Sequence, residues 1–290
     1  MVPAEARGAL GYWLAWARNP CAPHPGARPI TNSTESLPAH ISHNEQHWDD
    51  LAAGYQATHR EQLSMSVPTW SVFATPESEL GVLGDVVGRD VVELGCGAAQ
   101  FSIALARQGA RCTGIDLSRE QLTLAEELLT EAEAVDGERP DVSLVLGNVE
   151  ALEVPDASFD VAFSDYGASM FADPLQWVPE AARVLRPGGR LAFSAFTPLL
   201  ELCWPNPGQV TTNELRRSYF DLHEIRDRAT LFNLPYGEWV RLFRRSGLEI
   251  IDLVETRPRE GVVTTEYRSA NQVAWARQWP AEMIWVLDRR

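Results

Sequence analysis

The chain has 290 residues, of which 45% are hydrophobic and 22% charged, a length suited to one large domain with additions. It carries 40 acidic residues against 25 basic ones, a formal net charge of −15. That balance repels a phosphate backbone, so no nucleic-acid partner is expected. The basic residues are all arginine, which removes Schiff-base chemistry through a lysine and the lysine of a Walker phosphate loop. Arg216-Arg217 and Arg244-Arg245 read as solvated helix faces. Cys21, Cys96, Cys112 and Cys203 are scattered, so neither a disulfide framework nor a zinc site is suggested, and no metal is expected.

Residues 1–40 are rich in Pro, Ala, Ser and Thr and read as a poorly ordered extension. Within them Leu10 to Ala17 is apolar but too short to span a bilayer. Asn-Pro-Cys-Ala-Pro-His-Pro-Gly follows it in place of a clean cleavage pattern, so no signal peptide is expected. A cytoplasmic protein without a membrane partner is the default. Order is expected from about His43. From Asn44 to Gln62, Trp48, Leu51, Ala52, Tyr55 and His59 recur at helical spacing and predict a helical cap within residues 41–88. Thr75-Pro76-Glu77 reads as an N-cap with proline at the first helical position, predicting a helix to about Val87.

The run Val91-Val92-Glu93-Leu94-Gly95-Cys96-Gly97-Ala98-Ala99-Gln100-Phe101 reads as a buried strand that breaks into a glycine turn and enters a helix. Glycine lacks a Cβ and tolerates φ > 0, so such a turn lets a ligand approach the main chain. A second strand ends in Asp116, about 20 residues on, which is the nucleotide-site order of a doubly wound α/β fold. The third glycine of a dinucleotide fingerprint is missing, because Gln100 stands in its place. Glu93, at the strand end, is a poor neighbour for a diphosphate and a good one for a cationic ligand. Ser118 caps a predicted helix to Glu133. Val142 to Leu146 is a third strand, followed by Gly147-Asn148-Val149-Glu150. Thr197 to Leu234 has the length of a lid or substrate wall. Gly237 to Arg245 reads as a helix stopped by Gly247, and Leu248 to Val254 and Met283 to Leu287 read as strands.

Glu93-Leu-Gly-Cys-Gly-Ala-Ala99 resembles the first motif of class I S-adenosylmethionine (SAM) methyltransferases, Glu-x-Gly-x-Gly-x-Gly, with Ala99 in place of the last glycine. Gly114-Ile115-Asp116-Leu117-Ser118 is similar to the family's ribose segment, and Asn148 to its adenine turn. Ser158 to Gly167 and Ala182 to Leu191 resemble its fourth strand and the approach to its fifth. The resemblance covers roughly Val91 to Ser194 and extends less specifically to the C-terminus. It implies a Rossmann-like seven-stranded sheet of order 3-2-1-4-5-7-6 with strand 7 antiparallel, an N-terminal helical cap, and a domain over 89–290 with a lid insertion at about 197–235. It also implies the cofactor SAM, with S-adenosylhomocysteine (SAH) as product. Glu93, Gly95, Cys96 and Gly97 would form the cofactor turn, and Asp116 would accept both ribose hydroxyls. Leu117 would flank the adenine, which Asn148, Val149 and Glu150 would meet. Ser164 would lie near the methyl group and Tyr55 at the methionine end of the cofactor.

An electrophilic methyl group asks mainly for alignment, which supplies roughly 7–11 kcal/mol of barrier lowering. Glu93 and Asp165 could offset a sulfonium charge. A base is required only where the nucleophile must lose a proton first; the candidates are His43, His47, His59 and His223, with Tyr166 as an orienting hydroxyl. The leading expectation is methyl transfer to a small-molecule acceptor at oxygen or nitrogen, by a monomer or homodimer. A protein or RNA methyltransferase and a non-catalytic SAM-binding protein remain as alternatives.

Overall fold

Alternation along the strands decides which way each side chain of the central sheet points. In the computed structural model, which describes residues 38–59, 63, 66–204, 210–226 and 228–290, the chain begins with α1 (Ala39–His59). A hairpin of β1 (Thr69–Trp70) and β2 (Thr75–Pro76) leads into one turn of helix, α2 (Glu77–Leu80). The alternating core follows as β3 (Asp90–Leu94), α3 (Gln100–Ala106), β4 (Arg111–Asp116), α4 (Arg119–Asp136) and β5 (Val142–Leu146). Next come β6 (Phe159–Asp165), α5 (Ala168–Phe171), α6 (Pro174–Val184) and β7 (Leu185–Phe196). The insertion carries α7 (Pro198–Cys203) and a second hairpin, β8 (Glu224–Arg226) and β9 (Thr230–Phe232). The chain closes with α8 (Tyr236–Arg245), β10 (Leu248–Thr256), α9 (Ala270–Ala276) and β11 (Glu282–Arg289).

The sheet order is β10-β11-β7-β6-β3-β4-β5. Numbered from β3 in chain order and read from the β5 edge, this is the expected 3-2-1-4-5-7-6. β11 runs antiparallel to both its neighbours, and the remaining pairs are parallel. Successive residues go to opposite faces. Val92 and Leu94 of β3, Leu191 and Phe193 of β7, and Met283 and Trp285 of β11 join one core. Val91, Ala192, Ile284 and Val286 join the other. Helices cover both faces, so the strands read as nearly continuous apolar runs. On the first face Phe193 meets Trp177 of α6 at 5.1 Å and Trp239 of α8 at 5.4 Å, while Trp285 meets Phe243 at 5.0 Å. On the second, Phe101 bridges Trp70 and Phe163 at 5.1 and 4.7 Å.

Several local expectations need correction. The helix expected from Glu77 to Val87 ends after one turn, because Gly81 adopts φ +63 and its N–H caps Glu77 O. Thr75 and Pro76 pair with Trp70 and Thr69 as a strand and form no side-chain cap. Arg244 and Arg245 do end a helix, but Arg216-Arg217 lies in irregular chain: Arg216 pairs with Glu214 at 2.5 Å and Arg217 donates to Trp204 O. Helix α1 starts at Ala39, before His43, and its inner stripe is Ile41, Asn44 and Ala52, whereas Leu51 is 43% exposed. The expected extension up to residue 37, with Leu10 to Ala17 and Cys21, lies outside the described residues, as do residues 60–62 of the expected cap helix. Cys96, Cys112 and Cys203 are buried and free. Among the described residues no helix is long and apolar enough to cross a membrane.

Helix α1 is tied down by polar groups more than by an apolar stripe. The buried Asn44 side chain donates to Phe171 O at 2.8 Å and Thr230 O at 2.9 Å, and accepts from Thr230 N at 2.8 Å. Asp49 accepts from Ser118 Oγ at 2.5 Å, while Ser118 caps α4 through Gln121 N. The described part of the insertion thus backs α1 through Thr230. Asn44→Ala leaves three buried backbone groups without partners, each worth about 1–3 kcal/mol. The expected result is a fall in melting temperature of roughly 5–10 °C and earlier protease cleavage within α1. An unchanged melt would contradict this anchoring.

Candidate active site

In a doubly wound sheet the crevice opens where the chain leaves neighbouring strands in opposite directions. Here those strands are β3, which leads to β4, and β6, which leads to β7. The loops after them touch. A Cβ on Gly95 would sit 2.4 Å from Ala168 N, and one on Gly167 would sit 2.1 Å from Gly95 O. Gly95 and Gly97 adopt φ +74 and +53, a region other residues occupy at a cost. Ala99, which replaces the last glycine of the family pattern, also sits there at φ +57 as the residue entering α3. The amides of Gly95 and Cys96 both donate to Ile115 O, at 2.8 and 3.0 Å. The Gly97 amide donates to Asp116 Oδ2 at 2.7 Å, and Ser118 N to Oδ1 at 2.8 Å. The turn and the end of β4 therefore hold each other.

A cleft of about 1150 Å³, open solvent at its mouth included, lies between this turn and α1. Tyr55, Glu93, Gly95, Cys96, Gly97, Asp116, Leu117, Asn148, Val149 and Glu150 all line it. Ser164 does not. Its side chain is fully buried, donates to Leu94 O at 2.7 Å and accepts from Ser169 N, so it staples β6 to β3 behind the wall. Asp165, one residue on, lines the cleft instead. Glu150 turns its carboxylate to His40 at 2.8 Å and to Asp173 N at 2.7 Å. Asn148 Oδ1 accepts from Glu150 N. Asp116 Oδ1 and Oδ2 keep lone pairs at the rim of a cradle that side chains would fill, so this wall could hold a nucleoside.

Sequence reasoning missed part of the wall. Gln56 of α1 accepts from Gln100 Nε2 and donates to Gln121 at 3.2 Å, a chain of amides along the cleft. The hydroxyls of Tyr267 and Tyr55 share a hydrogen bond of 2.9 Å, across 212 residues of chain. Nothing local in Thr265-Glu266-Tyr267 signals this. The only hint was that Tyr55 carries a hydroxyl, which needs a partner when half-buried. The insertion, expected as a lid or substrate wall, contributes no residue to the cleft among the described ones.

The candidate bases are mostly occupied elsewhere. His43 pairs with Thr230 Oγ1 at 3.1 Å, and His47 packs on Trp48. His223 pairs with Asp173 at 2.8 Å, which raises its pKa. His59 binds its own helix at Tyr55 O and stacks on Tyr267 with centroids 4.3 Å apart. None lines the cleft. Tyr166 borders it, but its hydroxyl is buried without a hydrogen-bond partner among the described residues, and its ring packs on Phe196. The orienting role expected for it does not fit that placement.

Carboxyl groups dominate the electrostatics. Burial pushes Glu93 up to about 8, although Ser102 N and Ser102 Oγ donate to Oε2 at 3.1 and 2.5 Å. Burial likewise pushes Asp165 and Glu201 up to about 7, and drives the Cys96 thiol well above its ordinary range, away from nucleophilic use. An acid raised in the folded state binds its proton more tightly there than when unfolded. The stability it contributes is present below the ordinary value of 4.5 and is lost as pH climbs towards 8. The cofactor-free Glu93→Gln protein should therefore lose less melting temperature between about pH 5 and pH 9 than the native protein. Equal slopes in thermal melts would rule this out. Among the described residues no cluster of His, Cys, Asp and Glu could hold a metal ion.

Comparison with known proteins places this geometry. Residues 92–193 match the family model of a methyltransferase domain. Over those residues the chain is similar to class I S-adenosylmethionine-dependent methyltransferases. Among its relatives, a demethylmenaquinone methyltransferase of Listeria monocytogenes is 36% identical over 108 residues, covering 36% of this chain and 44% of that one. A ubiquinone biosynthesis O-methyltransferase of Paracidovorax citrulli is 36% identical over 113 residues, covering 39% and 45%. The chain thus spans less than half the length of these curated relatives. A methyltransferase structure from Mesorhizobium loti shares the fold, with TM-score 0.58 and 22% identity, covering 73% of this chain and 96% of that one. The matched segment ends inside β7, so α1 and Tyr267 lie outside it.

Proposed function

We propose that this methyltransferase binds SAM in the cleft and transfers its methyl group to a small-molecule acceptor, at oxygen or nitrogen, releasing SAH. The observation that carries the reading is the convergence of the Gly95–Gly97 turn, Asp116 and Asn148 on one cleft. Bound there, SAM supplies a methyl group made electrophilic by a sulfonium. Asp116 accepts from the ribose hydroxyls with the lone pairs left by Gly97 and Ser118, and Leu117, Asn148 and Val149 border the adenine. Tyr55 of α1 closes the far wall, and the carboxyls of Glu93 and Asp165 offset the positive charge, their ionised forms being favoured by the cation once it is bound. With no basic groove implied by a net charge of −15, a small acceptor fits better than RNA. The names of two relatives, a demethylmenaquinone methyltransferase and a ubiquinone biosynthesis O-methyltransferase, support a quinone-like acceptor. The enzyme is read as a cytoplasmic monomer or homodimer.

The test is transfer of a tritiated methyl group from SAM to host extract fractionated by size. Label in the small-molecule fraction supports the proposal. Label on protein or RNA overturns the choice of acceptor, and SAM binding without label anywhere overturns catalysis.

A further inference from the structure

Methylating an oxygen or nitrogen that carries hydrogen leaves a proton to be placed, and among the described residues no histidine stands in the cleft wall to take it. Asp165 ends β6 at the mouth of the crevice and lines the cleft. Its Oδ1 is held twice, by Ser71 N at 2.9 Å and by Ser194 Oγ. Its Oδ2 has no hydrogen bond among the described residues, and no cation stands among the groups that perturb it. A carboxylate clamped at one oxygen, bare at the other and unpaired with arginine is oriented and still basic.

We propose that Asp165 is a catalytic residue that accepts the acceptor's proton at Oδ2, which selects acceptors presenting an O–H or an N–H⁺ to the cleft. This rests on the methyl-transfer reading above. For a phenol, the O–H bond breaks and its proton goes to Oδ2. The electron pair freed on oxygen takes the methyl group, the pair of the broken carbon–sulfur bond stays on sulfur, and Asp165 then releases the proton to solvent.

The groups facing Asp165 suit that role. Glu93 faces it from β3, Tyr55 from α1, Tyr267 from the chain before α9, Glu282 from β11, and Tyr166 follows it directly. Each is acidic or neutral. Burial, with the Glu282 charge added, raises Asp165 to about 7 against the lowering bonds from Ser194 and Ser71, in the range where a base serves at neutral pH. The tyrosine hydroxyls cannot compete: burial pushes Tyr55 up to about 12 and Tyr267 higher still. Glu93 competes less well, because Oε2 is committed to Ser102 and the residue is 5% exposed.

The test compares two probes on the full chain saturated with SAH: 2-naphthol, which has the proton, and 2-methoxynaphthalene, which does not. The native protein should bind 2-naphthol about tenfold or more tighter at about pH 8, and the ratio should shrink as pH falls through about 7, where Asp165 takes up its own proton. In Asp165→Asn the donors on Ser71 and Ser194 hold the amide oxygen, which turns the amide NH₂ to the cleft and replaces an acceptor by a donor. The ratio should then drop to about one or below, with SAH binding changed less than about threefold. Ser194→Ala keeps the carboxylate and removes one donor, so the midpoint of the pH dependence should rise; this variant decides the matter if Asp165→Asn fails to fold. A ratio that persists in Asp165→Asn, or native binding without preference or pH dependence, overturns the proposal. A native protein that binds no SAH overturns instead the cofactor reading beneath it.

Discussion

Asp116→Ala should bind SAH at least about 100-fold more weakly than the native protein by calorimetry, against native binding in the micromolar range. Two effects add. The first is loss of the acceptor for the ribose hydroxyls, where hydrogen bonds to a charged group are worth about 1.5–3 kcal/mol each. The second is loss of the pin that holds the empty site in shape, since Asp116 takes Gly97 N on one oxygen and Ser118 N on the other. Asp116→Asn separates them. It keeps one acceptor but presents a donor to an amide N–H, so the turn should loosen even where the ribose contact survives. Native-like SAH binding by Asp116→Ala would remove this residue from the site. Charge reversal at Glu93 should weaken the binding of SAM, by placing a cation beneath its sulfonium.

Gly95→Ala should damage the fold and not merely the site. The added Cβ would meet Ala168 N at 2.4 Å and Gly167 Cα at 2.8 Å, both backbone atoms, at φ +74. No side-chain rotation relieves such a clash, so the loops after β3 and β6 must separate. We expect about 3–4 kcal/mol of destabilisation and a melting temperature roughly 10 °C lower. Gly167→Ala meets the same contact from the other side, 2.1 Å from Gly95 O, and should act alike. The double variant should cost less than the sum of the two, because one separation serves both. Full additivity would mean that the two loops do not bear on each other.

The first three strands were legible because parallel strands buried on both faces read as apolar runs, and because glycines and carboxylates mark their ends; the sheet order came from the family resemblance, and the structure has that order. Val142 to Leu146 was placed to the residue. Asp116 and Asn148 reach the cleft from neighbouring strand ends: Asp116 is the last residue of β4, and Asn148 stands two residues past β5. Ser164 was misplaced by one position, since the cleft receives the last strand residue, Asp165, and strand alternation turns its neighbour to a different duty. The helix expected to reach Val87 failed because proline and glutamate signal a beginning, while Gly81, four residues later, signals an end. Tyr267 and the Asn44 clamp were out of reach. Both join elements far apart in the chain, and only the closed fold brings them together.

The matched stretch, 92–193, is not a unit that could be cut out and expected to live alone. β11 seals β7 along seven paired residues from Phe196 to Arg190. An excised core would expose that strand as a bare, apolar edge, a template for intermolecular pairing. It would also lose the floor that Trp70 gives to Phe101 and Phe163. A shortened version of this chain would therefore be recovered as aggregate more readily than as a soluble cofactor binder. Engineering of acceptor scope should begin from residues 39–290 as one piece.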